Sequence, residues 1–106
     1  MPKFLFQASY SVDGVKGVLK EGGSGRQAAI EKLVAGVGGR LEGFYFAFGG
    51  DDAFVIADLP DQQSAAAIGL AVNASGGARV RTVVLLTPAE VDDAARKTVE
   101  YRPPGG

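Results

Sequence analysis

The stretch Gly43-Phe44-Tyr45-Phe46-Ala47-Phe48 decides how this chain folds, because it has the pattern of a β-strand with large apolar groups on both faces. Side chains alternate along a strand, so its three phenylalanines share one face. The other face is also mostly apolar and carries Leu41, Tyr45 and Ala47. A sheet in a small domain usually buries one face and wets the other. Cover on both faces therefore predicts a partner, either a second subunit or a bound ligand.

The segments around this strand have helical and strand periodicity in a definite order. The predicted elements are a strand at 3–10, a short helix at 12–20, a longer helix at 26–37, strands at 40–48 and 53–59, a helix at 62–74, a strand at 79–86 and a short helix from 88 to about 98. This order is the split βαβ arrangement of an α+β, ferredoxin-like βαββαβ fold. It predicts a four-stranded antiparallel sheet with an added short C-terminal helix.

Local signals mark the ends of the predicted helices. Each helix has a candidate N-terminal cap: Ser11 or Asp13, then Ser24, Asp61 and Thr87. Thr87 is followed by proline and, three positions on, by Glu90, which completes a capping box. Glycine pairs at 38–39 and 76–77 are typical of left-handed helix C-caps.

Composition narrows the possible functions. The chain has 106 residues, a net charge of −1 and neither cysteine nor histidine. Disulfides, thiolate metal sites, cysteine nucleophiles and histidine bases are thereby excluded, and we expect neither a metal nor another cofactor. The slightly acidic balance lacks the basic field that holds nucleic acid. No segment has the pattern of a signal peptide or a membrane span, which predicts a cytoplasmic protein without membrane or nucleic-acid partners.

Three segments together resemble the core of a GYD-domain protein: Gly39–Tyr45, Gly49 with Asp52, and Val55–Asp61. The resemblance runs from about residue 2 to residue 93. It implies a ferredoxin-like subunit related to the dimeric α/β-barrel proteins, in which two sheets pack face to face. It therefore implies a homodimer or a multiple of dimers, with a domain at 1–100 and an extended tail at 101–106. The family implies no established reaction.

The chain departs from the family pattern at one turn. The family motif reads glycine, any residue, tyrosine, aspartate, and this chain has Gly49-Gly50-Asp51-Asp52. Asp51 thus stands where the tyrosine belongs. Any function that depends on that phenol is not expected here.

The glycine-rich segment Glu21–Arg26 is a first candidate site. Glycines before a helix N-terminus expose backbone N–H groups at the positive end of the helix dipole. With Lys20, Ser24 and Arg26 beside them, these groups are suited to a phosphate or carboxylate. The segment matches neither a dinucleotide-binding motif nor a P-loop, and it follows a helix rather than a strand. A flexible break with a serine cap is the favoured interpretation.

Polar residues on the predicted sheet form a second candidate site. They are Gln7, Ser9, Glu42, Tyr45, Asp58, Arg79, Arg81 and Thr82. Between a sheet and its partner, a carboxylate and an arginine would bind a small substrate in low dielectric. Asn73, near a helix end, would add a hydrogen bond. The favoured alternative is that Arg79 and Arg81 form rim or interface ion pairs with Glu42 or Asp58.

Two functions follow from these candidates. The first is a small ligand-binding or interaction module, with an inter-sheet or sheet-edge pocket for a small anionic or aromatic ligand. Its ligand-binding candidates are Ser24, Arg26, Asn73 and Arg81. The alternative is a cofactor-independent enzyme of oxygenase or isomerase type, in which Tyr10, Tyr45 or Lys20 transfers the proton that histidine and cysteine cannot. The aromatic strand also resembles an RNA-recognition strand, but its position in the fold and the acidic composition argue against RNA binding.

Overall fold

Antiparallel pairing of four strands organises the chain, and the computed structural model describes all 106 residues, from Met1 to Gly106. The sheet has the order β2-β3-β1-β4. The elements along the chain are β1 (Lys3–Tyr10), α1 (Val12–Gly36), β2 (Arg40–Phe46), β3 (Ala53–Asp58), α2 (Gln62–Ser75), β4 (Ala78–Leu85) and α3 (Pro88–Ala95). The predicted α+β, ferredoxin-like fold is confirmed.

One face of the sheet packs against α1 and α2 and forms the core. Phe4 and Phe6 of β1 are 2% and 4% exposed. They lie beside Val55 and Ala57 of β3, and the helices contribute a buried set that covers them. That set consists of Val34 from α1 with Ala65 and Ile68 from α2. We call this the covered face. Side chains alternate between the two faces along a strand, so Phe4 and Phe6 share this face with Val55 and Ala57.

The opposite face of the sheet carries no helix and is also largely apolar. The strand registers place six such residues on it, and we call it the open face. They are Leu5, Tyr45, Phe54, Ile56, Val83 and Leu85. Leu5, Phe54 and Ile56 are half-buried by their neighbours, whereas Tyr45 and Val83 are exposed. The prediction that both faces carry apolar groups is therefore confirmed for the sheet as a whole.

A β-bulge in β2 changes the faces that alternation predicted for its first residues. Leu41 pairs with Ala57 and Gly43 with Ile56, so one extra residue lies between them. The bulge turns Leu41 to the covered face with Phe44 and Phe46, where it packs against the core. Glu42 then reaches Lys3 at the rim of the open face. The predicted faces of Leu41 and Glu42 were wrong for this reason.

The phenylalanine run does not extend as far as predicted. β2 ends at Phe46, and Phe48 lies beyond the strand with its side chain fully exposed. Phe44 and Phe46 pack edge to face, with ring centroids 5.1 Å apart. The phenylalanine face is thus turned toward the helices, and the face available to a partner is the one with Tyr45.

The two helices predicted at 12–20 and 26–37 are joined into α1, with a kink at Gly22. Gly22 has φ of 79°, a left-handed conformation that glycine adopts without a steric cost. The break was therefore predicted in the right place, but it occupies one residue. Ser24 lies within the helix, so its predicted capping role is wrong. Ser11 caps α1, and its hydroxyl accepts a hydrogen bond from the Gly14 N–H.

The remaining predicted caps are confirmed. The Asp61 carboxylate accepts the Ser64 N–H at 2.8 Å, and Gly76 closes α2 in the left-handed conformation. Thr87 and Glu90 form the complete capping box of α3. Residues 96–106 follow α3 without forming a further helix or strand. None of the helices combines the length and apolar character that crossing a membrane requires.

Candidate functional site

A cleft of about 340 Å³ opens between α1, the C-terminal half of α2 and the ends of β1 and β4, and we call it the helix-side cleft. Its volume lies within the range of small-ligand sites. Half of the residues that line it are apolar. Its lining includes Tyr10, Gly14, Glu21, Arg26, Leu33 and Val72.

A close backbone contact builds one wall of this cleft. The Ser11 N–H donates to the Gly77 carbonyl at 3.0 Å, and the Ser11 hydroxyl donates to the same oxygen at 3.2 Å. A Cβ atom placed on Gly14 would lie 1.9 Å from that oxygen, far inside van der Waals contact. The first turn of α1 can therefore sit against the start of β4 only because residue 14 is glycine.

Arg26 is the basic residue of the cleft. It lies four residues after the kink at Gly22, and its side chain is 30% exposed. The Nε atom is enclosed by protein and has no hydrogen-bond partner. Glu21 approaches the guanidinium at 3.7 Å between Oε1 and Nη1, an ion-pair distance too long for a hydrogen bond. The guanidinium therefore has donors that the fold does not use.

An apolar pocket lies beneath the helix-side cleft, between the helices and the covered face. Its lining includes Tyr10, Leu33 and Val72, which also line the cleft. Of the fourteen residues around it, thirteen are apolar and the other is Arg26. Its own volume is only about 40 Å³. One cationic side chain thus marks the junction between a polar opening and an apolar interior.

A second depression, which is mostly polar, lies along the β4 edge of the sheet, where Asn73 of α2 meets polar residues of the open face. We call it the open-face groove, and it is lined by Gln7, Ser9, Gly50, Asp51, Asn73, Arg79, Val80 and Arg81. The Arg81 guanidinium donates to Asp51 at 2.8 Å, and the Ser9 hydroxyl donates to the same carboxylate at 3.3 Å. Asp51, which stands at the position of the family's tyrosine, thus accepts hydrogen bonds from two residues that line this groove.

Four charged residues form a network at the other end of the open face. Lys3 donates to Asp58 at 2.9 Å and also to Glu42, and Arg40 donates to Asp58 at 3.2 Å. The hydrogen bonds that Lys3 donates to Glu42 and Asp58 raise the pKa of Lys3 above its ordinary value. The pKa of Asp58 is lowered, mainly by the hydrogen bond that it accepts from Lys3. Asp58 is only 7% exposed. Within the subunit, neither Arg79 nor Arg81 pairs with Glu42 or Asp58.

The structure separates the predicted site residues into three groups. Tyr10 and Arg26 meet in the helix-side cleft, while Asn73 and Arg81 lie at the open-face groove. The Asn73 side chain already accepts a hydrogen bond from the Val80 N–H at 2.8 Å, which ties α2 to β4. The other three, Lys20, Ser24 and Tyr45, are exposed and line neither the cleft nor the groove.

Sequence reasoning missed two features of these sites. One is the contact of Gly14 with Gly77, which joins residues far apart in the chain and leaves no local signal. The other is the Arg81–Asp51 ion pair, for which the departure from the family motif at Asp51 was the available signal. No group of three or more carboxylates is placed to hold a metal ion.

Comparison with known proteins identifies the family. Searches against curated proteins and against solved structures return no match. A family model, described as the GYD domain, matches residues 4–95 of the 106-residue chain. Because this match spans most of the chain, including all four strands and α3, the chain belongs to the GYD domain family.

Proposed function

We propose that this chain is a binding module for small molecules that combine an anionic group with an apolar body, held in the helix-side cleft. One observation carries the proposal: the guanidinium of Arg26 lines both the cleft and the apolar pocket and keeps unused hydrogen-bond donors. A carboxylate, sulfonate or phosphate is the group that such a guanidinium binds best. The apolar body would then contact Leu33 and Val72.

The surroundings of Arg26 favour an anion over a neutral ligand. Glu21 is the nearest carboxylate, and its side chain is 41% exposed and free to turn toward solvent. A ligand anion that takes its place next to Arg26 would sit closer to the apolar interior, where a charged hydrogen bond is stronger than in water. Tyr10 lines the same cavity and offers a hydroxyl as a further polar contact.

We also propose that the module is a homodimer that covers the open face. The six apolar residues of this face lie side by side on all four strands, and only part of their surface is buried within the chain. Charged residues lie at both ends of this apolar area. An apolar centre with a polar rim is the usual composition of a protein interface.

The alternative function, a cofactor-independent enzyme, rests on Tyr10. Of the three proton-transfer candidates, only Tyr10 lines the helix-side cleft and shares it with Arg26. Lys20 and Tyr45 lie outside the cleft. In a binding module, Tyr10→Phe leaves most of the ligand affinity in place. In an enzyme, the same substitution abolishes turnover without changing the fold.

A matched pair of fluorescent probes tests the binding proposal. One is 1-anilinonaphthalene-8-sulfonate and the other is its neutral analogue N-phenyl-1-naphthylamine. We expect Arg26→Gln to weaken binding of the sulfonate by about 10- to 100-fold, the range for one lost charged hydrogen-bonded contact. Binding of the neutral probe should change less than about twofold.

Lys20→Gln is the matched control, because it removes the same charge from the same helix at an exposed position outside the cleft. It should leave the affinity of both probes unchanged. The proposal is wrong if Arg26→Gln leaves sulfonate binding intact, or if it weakens both probes equally.

A further inference from the structure

The chain ends in a segment that packs on nothing within its own subunit. We call residues 86–106 the C-terminal arm, and every residue in it is exposed. The molecule measures 56 × 32 × 23 Å, with a radius of gyration of 16.7 Å. A compact domain of this length has a radius of gyration of about 13 Å. The arm therefore projects from the folded body.

The helix in this arm has the sequence of a helix that packs against another surface. α3 has eight residues, and an isolated helix of that length is marginal in water. It nevertheless begins with a complete capping box. Val91 lies on the same side as Ala94 and Ala95, and Val99 continues that side beyond the helix end. Val91 is 50% exposed, so this apolar side lacks a partner within the subunit.

We propose that the arm lies against the sheet of a second copy of this chain, with α3 at the end of the open face that carries Arg79. This placement rests on the homodimer proposed above. The arm begins directly after Leu85, so its apolar side continues the apolar open face. A surface that continues an interface between two copies is best covered by the second copy itself.

The geometry of β4 points to the position of α3. Arg79 and Leu85 lie six residues apart on one strand, or about 20 Å at the usual rise. In a twofold pairing of two open faces with antiparallel β4 strands, the end of one β4 lies over the start of the other. The arm of each subunit would then leave the interface beside Arg79 of the partner subunit.

Charges support this arrangement. Arg79 and Asp92 form no ion pair within their own chain, whereas Arg81 beside the first and Asp93 beside the second each do. Arg79 lines the open-face groove together with Arg81, and α3 carries three carboxylates, Glu90, Asp92 and Asp93, within about one helical turn. An acidic helix and a basic groove are complementary surfaces. We therefore assign Asp92 to a contact with Arg79 of the partner subunit.

Disulfide crosslinking tests this contact directly, since the chain has no cysteine of its own. We expect the full-length variant carrying both Arg79→Cys and Asp92→Cys to form a covalent dimer under mild oxidation, with more than half of the protein crosslinked. A bond within one subunit is excluded, because β4 separates the two positions by well over the 7 Å that a disulfide tolerates. The two single variants should crosslink only weakly.

The second measurement is the dimer dissociation constant by analytical ultracentrifugation. Val91→Glu places a charge on the apolar side of α3 and should weaken the dimer at least tenfold. Ala89→Glu adds the same charge to the opposite side of the helix and should change the constant less than twofold. Both positions are exposed in the subunit, so neither variant disturbs its core.

The possible outcomes distinguish the proposed arm contact from the proposed sheet-to-sheet dimer. Crosslinking of the double variant together with a selective effect of Val91→Glu supports the arm contact. A stable dimer that neither crosslinks nor responds to Val91→Glu overturns the arm contact and leaves the sheet-to-sheet dimer in place. A monomer in native mass spectrometry overturns both, while probe binding in the helix-side cleft is measured independently of either result.

Discussion

The two faces of the sheet are built from the same strands, yet they meet different surroundings. On the covered face, Phe4 and Phe6 are almost completely removed from solvent by α1 and α2. On the open face, Leu5, between them in sequence, is only half-buried, and Tyr45 is 67% exposed. The open face carries polar and charged residues at both ends, but its apolar centre has no helix over it, whereas two helices pack on the covered face.

A short chain thus distributes its apolar residues between a face that its own helices cover and a face that they leave exposed. Two helices suffice to cover one face of a four-stranded sheet, and 106 residues do not supply a second pair. The covered face then determines the stability of the subunit, whereas the open face is suited to assembly. The charged network around Asp58 lies at the rim of the open face, as expected where an apolar contact ends.

The largest test of this comparison places the same charge on each face. Phe6→Asp should unfold the subunit, since it removes a buried ring at a cost of about 3–5 kcal/mol and leaves an unpaired carboxylate in the core. Ile56→Asp places the same charge on the open face and should lower the free energy of unfolding of the subunit by about 1 kcal/mol or less. It should instead raise the dimer dissociation constant at least 100-fold. Urea denaturation and ultracentrifugation measure the two effects.

The expected difference between the two faces is contradicted if the two variants behave alike. Should Ile56→Asp unfold the chain as readily as Phe6→Asp, the subunit would depend on both faces for its own stability. Should Ile56→Asp remain as dimeric as the parent protein, the shared surface would lie elsewhere.

The fold followed from the sequence because its signals are local. The strand pattern of β1, the Asp61 cap and the Thr87 capping box each depend on a few neighbouring residues, and all were confirmed. The bulge at Leu41 depends on how β2 pairs with β3, which is a property of the sheet and not of the strand. For that reason alternation alone placed Leu41 and Glu42 on the wrong faces.

The candidate site was less predictable, because its residues come together only in the folded chain. Tyr10 and Arg26 were both singled out from residue type, but nothing in the sequence indicated that the same cleft contains them. The kink at Gly22 determines where Arg26 lies, and the contact of Gly14 with Gly77 closes the cleft wall. Tyr45, equally promising by type, lies on the open face, away from this cleft.

A second test concerns α1, one of the two helices that pack on the covered face. Gly14→Ala would push a methyl group into the Gly77 carbonyl and force α1 away from β4, at a cost of about 1–3 kcal/mol. Gly17→Ala, one turn later, meets no atom within 4 Å and should stabilise the subunit by about 0.5–1 kcal/mol. Thermal and urea unfolding of the two variants should therefore shift in opposite directions. Equal shifts would show that the α1–β4 contact does not support the covered face.

The smallest expected effect is a pH dependence that belongs to the rim of the open face. Hydrogen bonds from Lys3 and Arg40 lower the pKa of Asp58 below its ordinary value of 3.8. The folded state thus holds this carboxylate ionised more strongly than the unfolded state does. Its contribution to stability is fully present above the unfolded pKa and is lost as the pH falls through the lower folded pKa.

Asp58→Asn isolates that contribution from the rest of the acid transition. At pH 7 the variant should be less stable by about 1–2 kcal/mol, because an amide replaces a carboxylate that accepts from two cations. The difference between variant and parent should shrink as the pH falls below 3.8, because the unfolded parent chain then takes up a proton at Asp58 before the folded chain does. Asp61→Asn is the matched control: its carboxylate also has a lowered pKa, but asparagine is an equally good helix cap and the residue is exposed, so the loss at pH 7 should be much smaller. A constant difference for Asp58→Asn between pH 7 and pH 3 would mean that the charge of Asp58 does not stabilise the rim, and that its role there is one of shape.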